Sequence, residues 1–349
     1  VTPTLKKWAE RFGAVAQIRS RDVHTLPTAR LGGLAMWIAM VLTFLIVRHL
    51  SFVGKAFGHE LQGIFLASTF VILLGMIDDR FQLDALTKLA GQALAAGILL
   101  LYGIQILWLP INGVITLPPS IGQLLTVLIV LVTVNAVNFI DGLDGLAAGI
   151  VAISGASFFA FAYLLAVVYG FSRAGSPSLV TAVLIGACIG FLPHNSHPAR
   201  IFMGDSGSMF LGLLLAAAVI TLTGQVDANA ISAENSGPTL LPLLLPFAVL
   251  AIPLMDLVLA VFRRTLSGRS PFAPDKEHLH HRLLGAGNSH QRTAVIMYLW
   301  TATLAIPVTV LAFMPLWVAG TNALALASLS LAISQRWIAG ASVKVKKIV

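Results

Sequence analysis

Apolar runs of membrane-spanning length alternate with short polar segments along nearly the whole chain, and this alternation predicts the architecture. A helix needs about twenty residues to cross the hydrocarbon core. Ten runs approach that length, near residues 33–47, 61–77, 88–103, 121–138, 146–169, 178–193, 207–224, 239–262, 293–313 and 316–334. The expected fold is therefore all-α and polytopic. It forms one integral membrane domain over 1–349, with a basic loop at 1–32 and a long polar loop at 263–292. Between the third and fourth runs, Ile104–Leu117 alternates about Asn112-Gly113, which predicts a short extracytoplasmic β-hairpin. Pro246 and Pro253 fall inside the eighth run and should kink it.

The polar segments alternate in charge. Of the 22 Lys and Arg residues, all but Arg48, Lys55 and Arg173 lie in 1–32, 78–88, 139–145, 194–206, 263–292 and 335–349. The positive-inside rule makes that side cytoplasmic, and ten spans with both termini on one side are self-consistent. Asp78, Asp79, Asp84, Asp141, Asp144, Asp205 and Asp256 fall on or near the same side. The rule for basic residues does not require this. Solvated loop charges are one reading, but the flanking sequence is apolar and glycine-rich, which favours a site.

Composition narrows the class further. The chain is 57% hydrophobic and only 10% charged, against about 25% charged residues in soluble domains. The net charge of +8 does not indicate nucleic acid, because the basic residues follow membrane topology and are not interleaved with exposed aromatics. The single cysteine, Cys188, excludes a disulfide framework and reads as a small core residue.

Four polar blocks carry the candidate chemistry. Gly75-Met-Ile-Asp78-Asp79-Arg80 ends the second run, and Lys88 opens the third. Adjacent helical residues point about 100° apart, so Asp78 and Asp79 should take different partners, one of them orienting Lys88 or Arg80. Asn135-Ala-Val-Asn138-Phe-Ile-Asp141-Gly142-Leu-Asp144-Gly145 lies between two strongly apolar runs. A charge at the centre of a membrane helix costs roughly 2.5–3.5 kcal/mol, and Asn138 and Asp141 share a face if the helix continues. Asx-turns remain an alternative for Asp141 and Asp144. Asp205-Ser206-Gly207-Ser208 precedes an apolar run, which fits either a plain N-cap or a metal ligand beside a helix N-terminus that favours phosphate. His278-Leu-His280-His281-Arg282 lacks zinc-type spacing and, with Arg263, Arg264, Arg269 and Lys276 nearby, suits phosphate better. His194 and His197 read as structural or interfacial. Hard oxygen ligands for Mg²⁺ and cations for phosphate on one face suggest phosphoryl-group transfer to a lipid at the membrane surface.

These blocks occur in a familiar order. With Arg21-Asp-Val-His24-Thr-Leu-Pro27-Thr-Ala-Arg30-Leu-Gly32-Gly33 and Phe202, they resemble the polyprenyl-phosphate N-acetylhexosamine-1-phosphate transferases over nearly the whole chain. The His-Leu-His-His-Arg segment looks like the bacterial branch that starts O-antigen, common-antigen and teichoic-acid linkage lipids. The peptidoglycan branch typically has three consecutive histidines there. The family has eleven spans, so the resemblance implies a first helix missing from this chain, which also lacks an initiator Met.

The resemblance implies roles residue by residue. Asn138 and Asp205 would hold Mg²⁺, with Mn²⁺ as an alternative. Phe202 would stack on uracil, and Gly142 and Asp144 would line the nucleoside pocket. Lys88 and Arg282, with His280 or His281, would meet the pyrophosphate, and Asp78 and Asp79 would be the catalytic pair. Asp141 receives no role. The implied reaction joins UDP-GlcNAc and undecaprenyl phosphate, giving undecaprenyl-diphosphate-GlcNAc and UMP at the cytoplasmic face of the inner membrane. The partners are the two substrates, the bilayer and a second copy in a homodimer, with no nucleic acid. Three rivals stand beside it. An ion-coupled transporter predicts carboxylates near the midplane and internal repeats. A scaffolding membrane protein would not need the Asp–Asn–His–Arg constellation. A related enzyme would use another UDP-N-acetylhexosamine or phospho-MurNAc-pentapeptide.

Overall fold

The computed structural model describes residues 1–11, 30–50, 58–109, 115–168, 170, 174–225, 241–268 and 278–346. Within them the chain forms α1 (Thr2–Arg11), α2 (Gly32–Val47), α3 (His59–Phe81), α4 (Ala85–Leu101), α5 (Pro119–Ile140) and α6 (Leu146–Tyr163). It continues with α7 (Gly175–Asn195), α8 (Gly204–Gln225), α9 (Leu241–Leu266), α10 (Leu279–Gly285), α11 (His290–Val310) and α12 (Leu316–Lys346). Each of the ten apolar runs is a helix. Eight are long and apolar enough to span a membrane, and α2 and α4 are shorter apolar helices. The protein is an all-α polytopic membrane protein.

Helix α8 is the axis of the bundle. It is apolar on every side, and a helix with no polar face must be enclosed; residues 206–223 are all buried. Helices α2, α3, α5 and α7 surround it. Small residues set how closely they approach. A Cβ on Gly75 of α3 would lie 2.3 Å from Ser206 Cα, and one on Gly33 of α2 would lie 2.3 Å from Gly207 N. Three backbones therefore meet at the start of α8. The N–H groups of Gly32 and Gly33 donate to Phe202 O and Met203 O, each at 3.0 Å, fastening α2 to the segment before α8. Helix α12 is the opposite case: it packs on α11 and leaves Leu316, Trp317 and Leu324 more than 70% exposed, as lipid-facing residues are.

The chain reverses at each helix. As a result α3, α5, α7 and α9 end, and α2, α4, α6, α8 and α11 begin, at one end of the bundle. At the other end a two-stranded antiparallel ribbon pairs Trp108 with Thr116 and Leu109 with Ile115. The ribbon matches the expected hairpin; its Asn112-Gly113 turn lies outside the described residues. So do Arg19, Arg21, His24, Pro27, Arg269 and Lys276.

Helix α9 continues through both Pro246 and Pro253 as one helical element; neighbouring helices offset the lost backbone bonds in a membrane bundle. Two local expectations change. The basic segment expected as a loop opens with α1, which carries Pro3 in its first turn, where no N–H is needed. The fifth run ends in a π-helical turn, Leu164–Val168, rather than a regular α-helix.

Candidate functional site

The site forms where α8 begins. The first backbone N–H groups of a helix have no intrahelical acceptor, and here the acceptor comes from a different helix. Asp79, in the last turn of α3, accepts from Asp205 N at 2.9 Å through Oδ1. Through Oδ2 it accepts from Ser206 N at 3.2 Å and Ser206 Oγ at 3.0 Å. The negative charge also complements the helix dipole. Asp79 thus holds the turn that presents Asp205, a turn that Gly204 enters at φ +71°.

Asp78, one residue earlier and rotated away, is buried and makes different contacts. It accepts from Leu83 N at 2.8 Å and forms an ion pair with Lys88. Lys88 Nζ also lies 3.7 Å from Asp205 Oδ2. Lys88 stands on the first turn of α4, whose N-cap Asp84 accepts from Leu86 N, Thr87 N and Thr87 Oγ1. Those bonds, the Thr87 hydroxyl first, hold the Asp84 carboxyl below the usual carboxylate range. On the last turn of α5, Asn138 Nδ2 donates to Asp205 Oδ1 at 2.6 Å and Ser208 Oγ at 2.8 Å. Asp78, Lys88, Asn138 and Asp205 therefore converge from four helices.

A buried layer supports them one turn deeper. Asn135 donates to Gln92 Oε1 at 2.6 Å, and Gln92 Nε2 lies 3.5 Å from Met209 Sδ. These three residues sit one helical turn from Asn138, Lys88 and Asp205, so the polar faces of α4, α5 and α8 stay in register.

The His-Leu-His-His-Arg segment packs against the end of α5 and the turn that follows it. A Cβ on Gly142 would lie 2.4 Å from His280 Nε2, so the absence of a side chain at 142 admits the imidazole. His280 is 1% exposed, and neither ring nitrogen has a hydrogen-bond partner. Burial first, then the neighbouring charge of His281, pushes its pKa down to about 3, so the ring is neutral at physiological pH. The His278 ring stacks parallel to it at 5.8 Å, and Phe139 lies 5.4 Å from His278. His281 packs 4.3 Å from His280, and Arg282 is exposed on α10.

Asp144 is buried and accepts from His197 Nδ1 at 2.8 Å and Ala199 N at 3.0 Å. It therefore fastens the 196–200 segment, which leads into Phe202. Asn195 accepts from Gly145 N and donates to Ile201 O, while the Tyr298 hydroxyl donates to Gly145 O at 2.6 Å. Both backbone groups of Gly145, at φ +73°, are thereby fixed. Asp141 caps the end of α5. Withdrawal from water, then the charges of Asp205, Asp79 and Asp144 against Arg30, raises its carboxyl well above the usual range.

All eleven candidate residues lie at the same end of the bundle. Asn138 and Asp205 are in direct contact, as are Asp78 and Lys88, while Gly142 and His280 touch across elements. Phe202 sits between the Asp144-held segment and the start of α8. Among the described residues no three His, Cys, Asp or Glu side chains converge as a metal cluster. Sequence reasoning missed Asn195 and Tyr298, which order the Gly145 turn, and the role of Ser208 beside Asn138. A lone Asn, Tyr or Ser in an apolar helix carries no spacing signal.

Comparison with known proteins identifies the family. Residues 61–223 match the model described as glycosyl transferase family 4. The decaprenyl-phosphate N-acetylglucosaminephosphotransferase of Mycobacterium tuberculosis H37Rv is 45% identical over 87% of this chain and 77% of its own length. A probable undecaprenyl-phosphate N-acetylglucosaminyl 1-phosphate transferase of Bacillus subtilis is 32% identical over 91% of this chain and 82% of its own. The undecaprenyl-phosphate alpha-N-acetylglucosaminyl 1-phosphate transferase of Escherichia coli K12 is 28% identical over 90% and 81%. With four helices converging on Asp205 and near-full-length similarity to these enzymes, the chain belongs to glycosyl transferase family 4, the polyprenyl-phosphate N-acetylhexosamine-1-phosphate transferases.

Proposed function

We propose that this protein transfers N-acetylglucosamine 1-phosphate from UDP-GlcNAc to a polyprenyl phosphate, releasing UMP, at the cytoplasmic face of the cell membrane. The observation that carries the reading is the convergence of Asp78, Lys88, Asn138 and Asp205 at the start of α8. The acceptor expected from the sequence is undecaprenyl phosphate. The 45% identical mycobacterial relative is named for decaprenyl phosphate, so the shorter lipid is the favoured acceptor and undecaprenyl the second.

An oxygen of the lipid phosphate attacks the β-phosphorus of the nucleotide sugar. A new P–O–P bridge forms, the bond from that phosphorus to the α–β bridging oxygen breaks, and UMP leaves with the electron pair. A phosphate monoester has a second pKa of about 6, so the attacking oxygen needs no base at neutral pH. Asp78 then serves by holding Lys88, an assignment supported by its burial and its two partners. Lys88 and Arg282 lower the repulsion between two anions and align them. Asp79 orients Asp205. Neutral His280 supplies a hydrogen bond rather than a charge.

Asn138 and Asp205 would hold Mg²⁺, or Mn²⁺ in its place. Two hard oxygen donors suit an ion that takes one or two protein ligands and completes its shell with water and substrate phosphates. That ion would neutralise charge on the diphosphate. Phe202, Gly142 and Asp144 would form the nucleoside side. The prenyl chain has a candidate seat in an apolar groove of about 380 Å³ between the ribbon, α5, α8 and α9, lined by Ile106, Leu109, Leu128, Val132, Phe247 and Leu254. Phe247 and Leu128 are exposed on its outer edge, where the bilayer lies.

The test uses purified protein in nanodiscs with Mg²⁺, decaprenyl or undecaprenyl phosphate and a panel of UDP-sugars, measuring UMP. Release with UDP-GlcNAc that Asp205→Ala abolishes is expected. Equal rates for the variant and wild type would sink the metal assignment, and no release with any sugar would sink the reaction.

A further inference from the structure

Asp256 belongs to none of the contacts described so far. It lies in α9, two turns before Arg263 and Arg264, and is fully buried. An isolated carboxylate in an apolar interior is strongly unfavourable, so its partners explain its presence. They come from the His-Leu-His-His-Arg segment. Oδ1 accepts from Leu279 N at 2.8 Å, and Oδ2 faces His278 Nδ1 at 3.0 Å. Both oxygens are therefore committed to the first two residues of that segment. The surroundings add to the same seat: Phe139 of α5 lies against His278, Arg264 of α9 lies over Phe139 at 5.5 Å, and His280 rests on Gly142.

We propose that Asp256 is the positioning residue that seats the His278–Arg282 segment over the site. One oxygen caps the first turn of α10 from a neighbouring helix. The other holds His278 with its proton on Nδ1, so that Nε2 faces away from α9. The consequence for donor binding rests on the transferase reading, because it requires His280, His281 and Arg282 to meet the diphosphate. The seating itself does not.

The experiment separates the two. Backbone hydrogen–deuterium exchange over residues 279–285 is measured in the full chain in nanodiscs for wild type, Asp256→Asn and Asp256→Leu, together with UMP-release kinetics for donor and acceptor. Asp256→Leu removes both acceptors; exchange over 279–285 should rise about tenfold or more, with α8 unchanged. Its kcat/KM for UDP-GlcNAc should fall about a hundredfold while the KM for the lipid phosphate stays within about twofold. Asp256→Asn keeps the carbonyl acceptor for Leu279 N but offers an N–H to His278, reversing its tautomer. Exchange should then stay near wild type while kcat/KM for the donor falls about tenfold. Unchanged exchange in Asp256→Leu overturns the seating, as does a rise spread equally over α8. Raised exchange with unchanged donor kcat/KM overturns the positioning role. No UMP from wild type, with exchange raised over 279–285 alone, supports the seating and sinks the transferase reading instead.

Discussion

Asp78 and Asp79 show what one residue of rotation does. Their divergence was legible in the sequence, because a helix turns each successive side chain by about 100°. Their partners were not, since Ser206 lies 127 positions from Asp79 and no local pattern reaches that far. Asp79→Ala should remove the cap of α8 and cost about 0.5–2 kcal/mol, read as a lower Tm together with a lower kcat. Asp78→Asn should lower kcat with little change in Tm, because it frees Lys88 while the Asp79 cap of α8 stays in place. His280 gives a pH dependence. Its folded pKa is about 3 against an unfolded value near 6.5, so between those values the unfolded chain binds a proton that the folded one does not. Stability should therefore rise with pH through that window and be lost as pH falls below about 6.5. His280→Gln should flatten this part of a Tm-against-pH curve.

At the scale of the element, all ten runs were readable because each is apolar over a length that only a membrane or a full enclosure accommodates. The pattern does not contain where the helices touch. Gly75 and Gly97 look alike in the sequence, yet a Cβ on Gly75 would strike the Ser206 backbone while one on Gly97 meets nothing within 4 Å. Gly75→Ala should therefore destabilise by about 1–3 kcal/mol and impair activity through Asp205. Gly97→Ala should stabilise by up to about 1 kcal/mol. Paired Tm measurements on the two variants check both signs.

At the scale of the molecule, the alternation of basic segments placed the seven acidic residues at one end before any contact was known. The apolar groove was not visible in the sequence, because its lining comes from the ribbon and three helices far apart in the chain. Val132→Trp should fill that groove and raise the KM for the lipid phosphate several-fold with the KM for UDP-GlcNAc unchanged, as UMP-release kinetics would show. The enclosure of α8 has one more consequence, for the order of assembly. Its main neighbours, α2, α3, α5 and α7, all precede it in the chain. A nascent protein that has inserted residues up to 225 already contains every partner that Asp78, Asp79, Lys88, Asn138 and Asp205 use. The family match likewise ends at residue 223. Helices α9 to α11 and the histidine segment are synthesised later, so the contacts among these five residues can form in the growing chain before the histidine segment exists.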